Sequence, residues 1–94
     1  MNQYESIIIV NPNLDEAGLK ALEEKFTGLI NENGKVESVE NMGKKKLAYE
    51  IKKCTEGTYL LFNFEAKPDS IKELERVYRI TDDIMKFIVV KKED

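Results

Sequence analysis

Lysines and carboxylates are the abundant side chains of this sequence that could do chemistry. The chain contains no histidine and a single cysteine, Cys54, which removes the commonest general base and the commonest metal ligand. Cys54 follows Lys52 and Lys53, but no base or orienting group nearby completes a nucleophilic site. We therefore expect no catalytic residue, no metal site and no cofactor, and an enzyme is the least favoured class.

The densest run of positive charge is Lys44, Lys45 and Lys46. The formal net charge is −3, but it is unevenly spread: residues 1–42 hold three lysines against eight acids, and residues 43–94 hold twelve basic residues against ten acids. Clustered lysines bind phosphate groups in a salt-dependent, sequence-independent way. Lysines on an edge strand also prevent unwanted strand pairing. The residues alone leave both interpretations open.

Length and composition predict one globular domain spanning residues 1–94. Hydrophobic residues make up 41% of the chain and charged residues 35%, which is typical of a folded protein. No apolar stretch approaches the ~20 residues that cross a bilayer, and the first residues lack the features of a signal peptide. A single cysteine fits a reducing compartment. We expect a cytoplasmic protein with no membrane partner and no small-molecule substrate.

Hydrophobic periodicity predicts six elements in the order β-α-β-β-α-β. Asp15 is a good N-cap for the first helix, which should stop at Asn33-Gly34. Ser70 and Glu73 have capping-box spacing at the start of the second helix. Gly43 predicts a bulge in a long, bent second strand. The strands are predicted at residues 4–10, 35–52, 58–66 and 84–91, with a hairpin turn at residues 53–57.

This order fits the ferredoxin-like α+β class, βαββαβ, a four-stranded antiparallel sheet with two helices on one face. Side chains alternate along a strand, so the bulky set Leu60, Phe62 and Phe64 should meet the helices. An apolar patch of unusual size for a small monomer then lies on the opposite face. We predict that it binds a protein partner through Ile7, Ile9, Tyr59, Leu61, Ile88 and Val90.

Several segments resemble one protein family across nearly the whole chain. The most specific is Gly43-Lys44-Lys45-Lys46-Leu47-Ala48-Tyr49-Glu50-Ile51, and weaker matches are Tyr4-Glu5, Asn11-Pro12-Asn13-Leu14, Gly57 with Tyr59, Arg79-Ile80 and Val89-Val90-Lys91. The chain resembles bacterial small-subunit ribosomal protein six. Two positions depart from the family pattern: Glu50 stands where proline is common, and Thr81 stands where a relative has arginine.

The resemblance implies a structural, non-enzymatic component of the small ribosomal subunit with the ferredoxin-like fold. It implies binding to 16S rRNA in the central domain, at the platform, together with small-subunit ribosomal protein eighteen. That basic protein would form a heterodimer with this chain by binding its open sheet face. The resemblance also favours rRNA contact by Lys44, Lys45 and Lys46, and by Arg79 and Lys86 near the other edge of the sheet.

The same arrangement of elements also occurs in proteins with other functions. Two copies could press their open sheets together into a homodimeric α+β barrel around a small ligand, although only Tyr59 and Asn63 would offer polar groups inside it. An acylphosphatase-like enzyme would need an arginine in the anion-binding loop after the first strand, and residues 11–14 contain none. RNA-recognition sheets stack unpaired bases on several exposed aromatic rings, whereas only Tyr59 is predicted to face outward here.

Overall fold

The computed structural model describes residues 1–92 and contains a four-stranded antiparallel sheet in the order β2-β3-β1-β4. The elements are β1 (Asn2–Val10), α1 (Glu16–Asn31), β2 (Gly34–Ile51), β3 (Cys54–Ala66), α2 (Ser70–Ile80) and β4 (Ile84–Lys91). As predicted, β1 and β3 are central and β2 and β4 form the edges. The predicted domain ends at residue 94, but Glu93 and Asp94 lie outside the described residues.

Both helices pack on the same face of the sheet. Alternation along β3 places Leu60, Phe62 and Phe64 in the core, where each is at most 1% exposed. The apolar stripes of the two helices meet these side chains, because helical spacing gathers their large residues on one side. The helix residues buried in this core are Leu22, Phe26 and Ile30 of α1 and Leu74 and Tyr78 of α2. The predicted two-layer arrangement is confirmed.

The hydroxyl groups of Ser6 and Tyr78 meet inside this apolar core. Ser6 Oγ and Tyr78 Oη are 2.8 Å apart, and both residues are fully buried. The rings of Phe26 and Phe87 flank Tyr78, with centroids 4.8 and 5.2 Å from its own. Burial raises the pKa of Tyr78 to about 12, although the hydrogen bond with Ser6 opposes the shift. Each hydroxyl satisfies the other, which is the usual condition for a polar group in a core.

The start of α1 agrees with the prediction, but its end does not. Asp15 caps the helix by accepting a hydrogen bond from Gly18 N at 2.8 Å. The helix stops at Asn31, and its C-cap residue, Glu32, keeps right-handed backbone angles. Gly34 therefore does not cap the helix. It opens β2, where an added Cβ would collide with the carbonyl oxygen of Glu65, so glycine is required by a close approach of two strands.

The predicted capping box at α2 is wrong. Ser70 is the first helical residue, and its Oγ donates a hydrogen bond to the carbonyl of Lys67 at 2.7 Å. Glu73 instead accepts from the guanidinium of Arg76, one turn further along the helix. This hydrogen bond holds the pKa of Glu73 below its usual value. The spacing was correct for a capping box, but an exposed arginine three residues away competes for the same carboxylate.

The paired strands β2 and β3 continue past the rest of the sheet as a hairpin, and we call residues 44–57 the arm. β1 ends at Val10, opposite Thr58, so no residue of the arm pairs with β1. Gly43 stands at its base with φ of 81°, where the register between β2 and β3 slips. The predicted bulge is therefore confirmed.

The tip of the arm is tighter than the sequence predicted. β3 begins at Cys54 and not at Thr58, so the predicted turn at residues 53–57 is wrong. The turn consists of Lys52 and Lys53, with φ of 48° and 66°. Positive φ at both central residues is the mark of a type I′ hairpin, which normally takes asparagine and glycine.

Candidate protein and RNA interfaces

The predicted apolar patch lies on the sheet face opposite both described helices. Ile88 and Val90 of β4 are 47% and 51% exposed. Ile7 and Leu61, which pair across β1 and β3, are half-buried beside them. Ile9 shares this face but is only 8% exposed, and its side chain lies so close to Gly57 that a Cβ there would collide with it. The six predicted residues thus share one face, and all except Ile9 present surface to a partner.

One end of the patch is lined by polar side chains from three strands. Asn63 donates a hydrogen bond to Ser38 Oγ at 3.0 Å, and its carbonyl oxygen accepts from the ammonium of Lys92. Glu5 lies beside Asn63 and Val90 in the strand register. An apolar centre with such a polar rim is the usual anatomy of a protein interface.

The opposite end of the patch carries what we call the tyrosine–lysine cluster: Lys45, Tyr49, Tyr59 and Lys86. Lys86 Nζ donates a hydrogen bond to Tyr49 Oη at 2.9 Å, and Lys45 Nζ lies 5.6 Å from the ring centre of Tyr59. Tyr49 belongs to β2 and Lys86 to β4, the two opposite edges, so the arm must curve across the end of β1. The hydrogen bond with Tyr49 raises the pKa of Lys86.

The three consecutive lysines do not form a single group. In the strand register Lys44 pairs with Thr58, Lys45 with Gly57 and Lys46 with Glu56. Because side chains alternate along a strand, Lys45 lies on the open face, whereas Lys44 and Lys46 lie on the other. The alternation of side chains along β2 is the feature of the sequence that assigns Lys45 to one face and Lys44 and Lys46 to the other.

Arg79 lies in a different layer from Lys86. It is exposed in the last turn of α2, and the helices occupy the face opposite the cluster. Thr81, one of the departures from the family pattern, donates its hydroxyl to the carbonyl of Val77 at 2.7 Å and so closes the end of α2. Arg79 is therefore not part of the surface formed by Lys45 and Lys86.

Tyr49 is the one member of the cluster that the sequence did not identify as a site residue. Tyr49 is 62% exposed although its hydroxyl group is hydrogen-bonded. The position was recognised only as part of a family motif. A second outward aromatic ring near Tyr59 changes what this end of the sheet can bind.

Within residues 1–92, no group of three or more His, Cys, Asp or Glu side chains is arranged to hold a metal ion. No helix in this part of the chain is both long and apolar enough to span a bilayer.

Comparison with known proteins decides the family. The family model described as ribosomal protein S6 matches residues 3–91. The chain belongs to the ribosomal protein S6 family. It is 54% identical over 94 residues to small ribosomal subunit protein bS6 of Clostridium perfringens strain SM101, with 99% of each chain covered. It is 50% identical to the bS6 of Clostridium botulinum strain Hall, covering 99% of this chain and 100% of the relative.

Solved structures agree with this assignment. The crystal structure of 30S ribosomal protein S6 from Thermotoga maritima has a TM-score of 0.91 at 38% identity, covering 97% of this chain and 87% of that one. A protein from Arabidopsis thaliana, with a TM-score of 0.58 and 12% identity, covers 100% of this chain and 95% of its own and shares only the fold. The prediction of a non-enzymatic protein of the small ribosomal subunit is confirmed by membership of the family.

Proposed function

We propose that this S6 protein binds the central domain of 16S ribosomal RNA jointly with small-subunit ribosomal protein eighteen, which covers the open sheet face. The observation that carries the proposal is the exposure of Ile88 and Val90 beside Ile7 and Leu61, on the face opposite both helices. Burial of apolar surface of this kind stabilises a complex by about 25 cal/mol for each Å² removed from water. A basic partner also suits a chain with a formal net charge of −3.

The arm supports the RNA part of the proposal. Residues 44–57 contain five lysines against two glutamates, and they extend beyond the compact part of the sheet. Lysines on such an extension can reach phosphates while the patch is occupied by a protein. Lys44 and Lys46 would contact RNA from one side of the arm, and Lys45 and Lys86 from the other. Arg79, on the helix layer, would be a separate contact.

A single substitution tests the protein interface. Replacing Ile88 with aspartate places a charge in the exposed part of the patch, where a partner would have to desolvate it. We expect Ile88→Asp to weaken binding to purified protein eighteen and central-domain RNA at least tenfold, measured by isothermal titration calorimetry. Ile80→Asp is the matched control, because Ile80 is 64% exposed at the end of α2, away from the sheet face.

The control results decide between three outcomes. Equal loss in both variants, with an unchanged circular dichroism spectrum, would contradict assembly through the sheet face. Loss of the folded spectrum in Ile88→Asp would mean that the side chain stabilises the fold instead. Light scattering on the free wild-type chain separates the homodimeric alternative, since a stable dimer near twice 10.9 kDa would already cover this face.

A further inference from the structure

The ring of Tyr49 is exposed and yet fixed in position. Lys86 Nζ lies 2.9 Å from Tyr49 Oη and 5.5 Å from the ring centre. These two distances place the ammonium beyond the hydroxyl group, not above the ring. The hydrogen bond therefore holds the side chain by its hydroxyl end without the ammonium covering a flat face, and the residue is 62% exposed. A side chain held in this way loses little further rotamer freedom when another flat group stacks on it.

Lysines lie at the cluster and in the same arm. Lys86 is its hydrogen-bond partner, Lys45 lies over the neighbouring ring of Tyr59, and Lys52 and Lys53 form the turn at the tip of the same arm. Stacking platforms beside a basic groove are the common device for holding single-stranded nucleic acid. An apolar protein surface would not need the lysines, and phosphate binding alone would not need the rings.

We propose that Tyr49 stacks against one unpaired nucleotide of single-stranded RNA, with Lys45 and Lys86 contacting the flanking phosphates. The inference rests on the proposed RNA binding and deepens it, because it names an unpaired base and not a duplex backbone as the ligand of the cluster. Stacking on a tyrosine face is tolerant of base identity. The site therefore selects an accessible single strand and not a sequence.

The test uses fluorescein-labelled short oligoadenylate and the full chain, with fluorescence anisotropy at low salt. Tyr49→Leu keeps an apolar side chain but removes the flat ring, and Tyr49→Phe keeps the ring but removes the hydroxyl. A base stacked on an aromatic side chain is worth about 1–3 kcal/mol, so Tyr49→Leu should weaken binding roughly 5- to 150-fold. Tyr49→Phe should lose much less. An oligomer of the same sugar–phosphate backbone without bases should bind weakly, and neither substitution should change its affinity.

Three results would overturn the inference. The first is equal oligoadenylate affinity of Tyr49→Leu and the wild type. The second is a wild-type protein that binds oligoadenylate and the abasic oligomer equally well, or that binds neither. The third is a Tyr49→Leu variant that loses affinity for protein eighteen alone, because Tyr49 would then be a protein contact.

None of these results depends on the joint assembly with central-domain RNA, which the Ile88→Asp titration measures separately. Stacking of oligoadenylate without joint assembly would therefore leave the inference standing and remove the proposed function.

Discussion

At the scale of single residues, the Ser6–Tyr78 pair is a hydrogen bond made wholly inside the core. Both hydroxyl groups lie in the apolar layer between helices and sheet, 2.8 Å apart. Removing either partner leaves the other buried without a hydrogen bond, which costs about 1–3 kcal/mol. The pair also links α2 directly to the central strand β1.

The first prediction concerns the stability of the protein in alkali. The pKa of Tyr78 is raised from 10.0 to about 12, so the folded state keeps a proton that the unfolded chain releases above pH 10. The free energy of unfolding should therefore be undiminished by this group below pH 10. It should fall by at most about 2–3 kcal/mol as the pH rises to 12. Urea unfolding at a series of pH values measures the slope.

The control is the double variant Ser6→Ala with Tyr78→Phe, which removes both hydroxyl groups and leaves neither partner unpaired. All lysines remain, so their titration contributes equally to both proteins. The stability of the wild type relative to the double variant should fall steadily between pH 10 and 12. A difference that stays constant over that window would show that Tyr78 does not ionise on unfolding.

At the scale of elements, the arm is built on an unfavourable turn. Lys52 and Lys53 both adopt positive φ, a backbone region that costs residues with a Cβ roughly 1–2 kcal/mol each. Asparagine and glycine adopt it readily. Lys52 and Lys53 therefore occupy a turn where lysine is disfavoured, and their positive charge would favour RNA binding by the arm.

The second prediction follows from this turn. Lys52→Asn with Lys53→Gly should raise the free energy of unfolding by about 1 kcal/mol, seen as a higher urea midpoint. The same variant should bind oligoadenylate more weakly, because two positive charges are lost. Lys52→Gln with Lys53→Gln is the charge-matched control and should lower RNA affinity without raising stability. Equal stabilisation in both variants would mean that charge repulsion, and not backbone strain, limits the turn.

Strand periodicity was enough to predict the sheet faces, because every second residue meets the same environment. It placed Phe62 inside and Ile88 outside without any tertiary information. It could not predict that Tyr49 meets Lys86, because alternation specifies the face of a side chain but not how far a hairpin curves. The turn at the tip of the arm could not be predicted at Lys52 and Lys53, because lysine has no local preference for positive φ.

At the scale of the whole molecule, charge is divided between the arm and the rest. The arm holds an excess of three positive charges, so the remainder of a chain with net charge −3 holds six excess negative charges. Such a molecule does not coat nucleic acid unselectively, since most of its surface repels phosphate. Contact is directed to one extension and to whatever charge a partner adds.

The third prediction tests this division. Lys44→Ala with Lys46→Ala removes two proposed phosphate contacts, so the slope of log affinity against log salt should become shallower by roughly 1.5. The measurement is a salt series of central-domain RNA binding in the presence of protein eighteen. Lys20→Ala with Lys25→Ala changes the net charge equally from α1 and should leave the slope nearly unchanged. Matching slopes in the two variants would assign the effect to overall charge.

The strand order has a consequence for the time course of synthesis. β1 is made first, yet one of its two neighbours, β4, is made last, as the pairing of Ile7 with Ile88 shows. The central strand therefore waits with one edge unpaired while the intervening elements emerge, and the sheet closes only after β4 has been synthesised. Pairings this distant along a chain slow folding. Completion of this fold therefore waits for its last strand, in a protein of a family that itself belongs to the translation machinery.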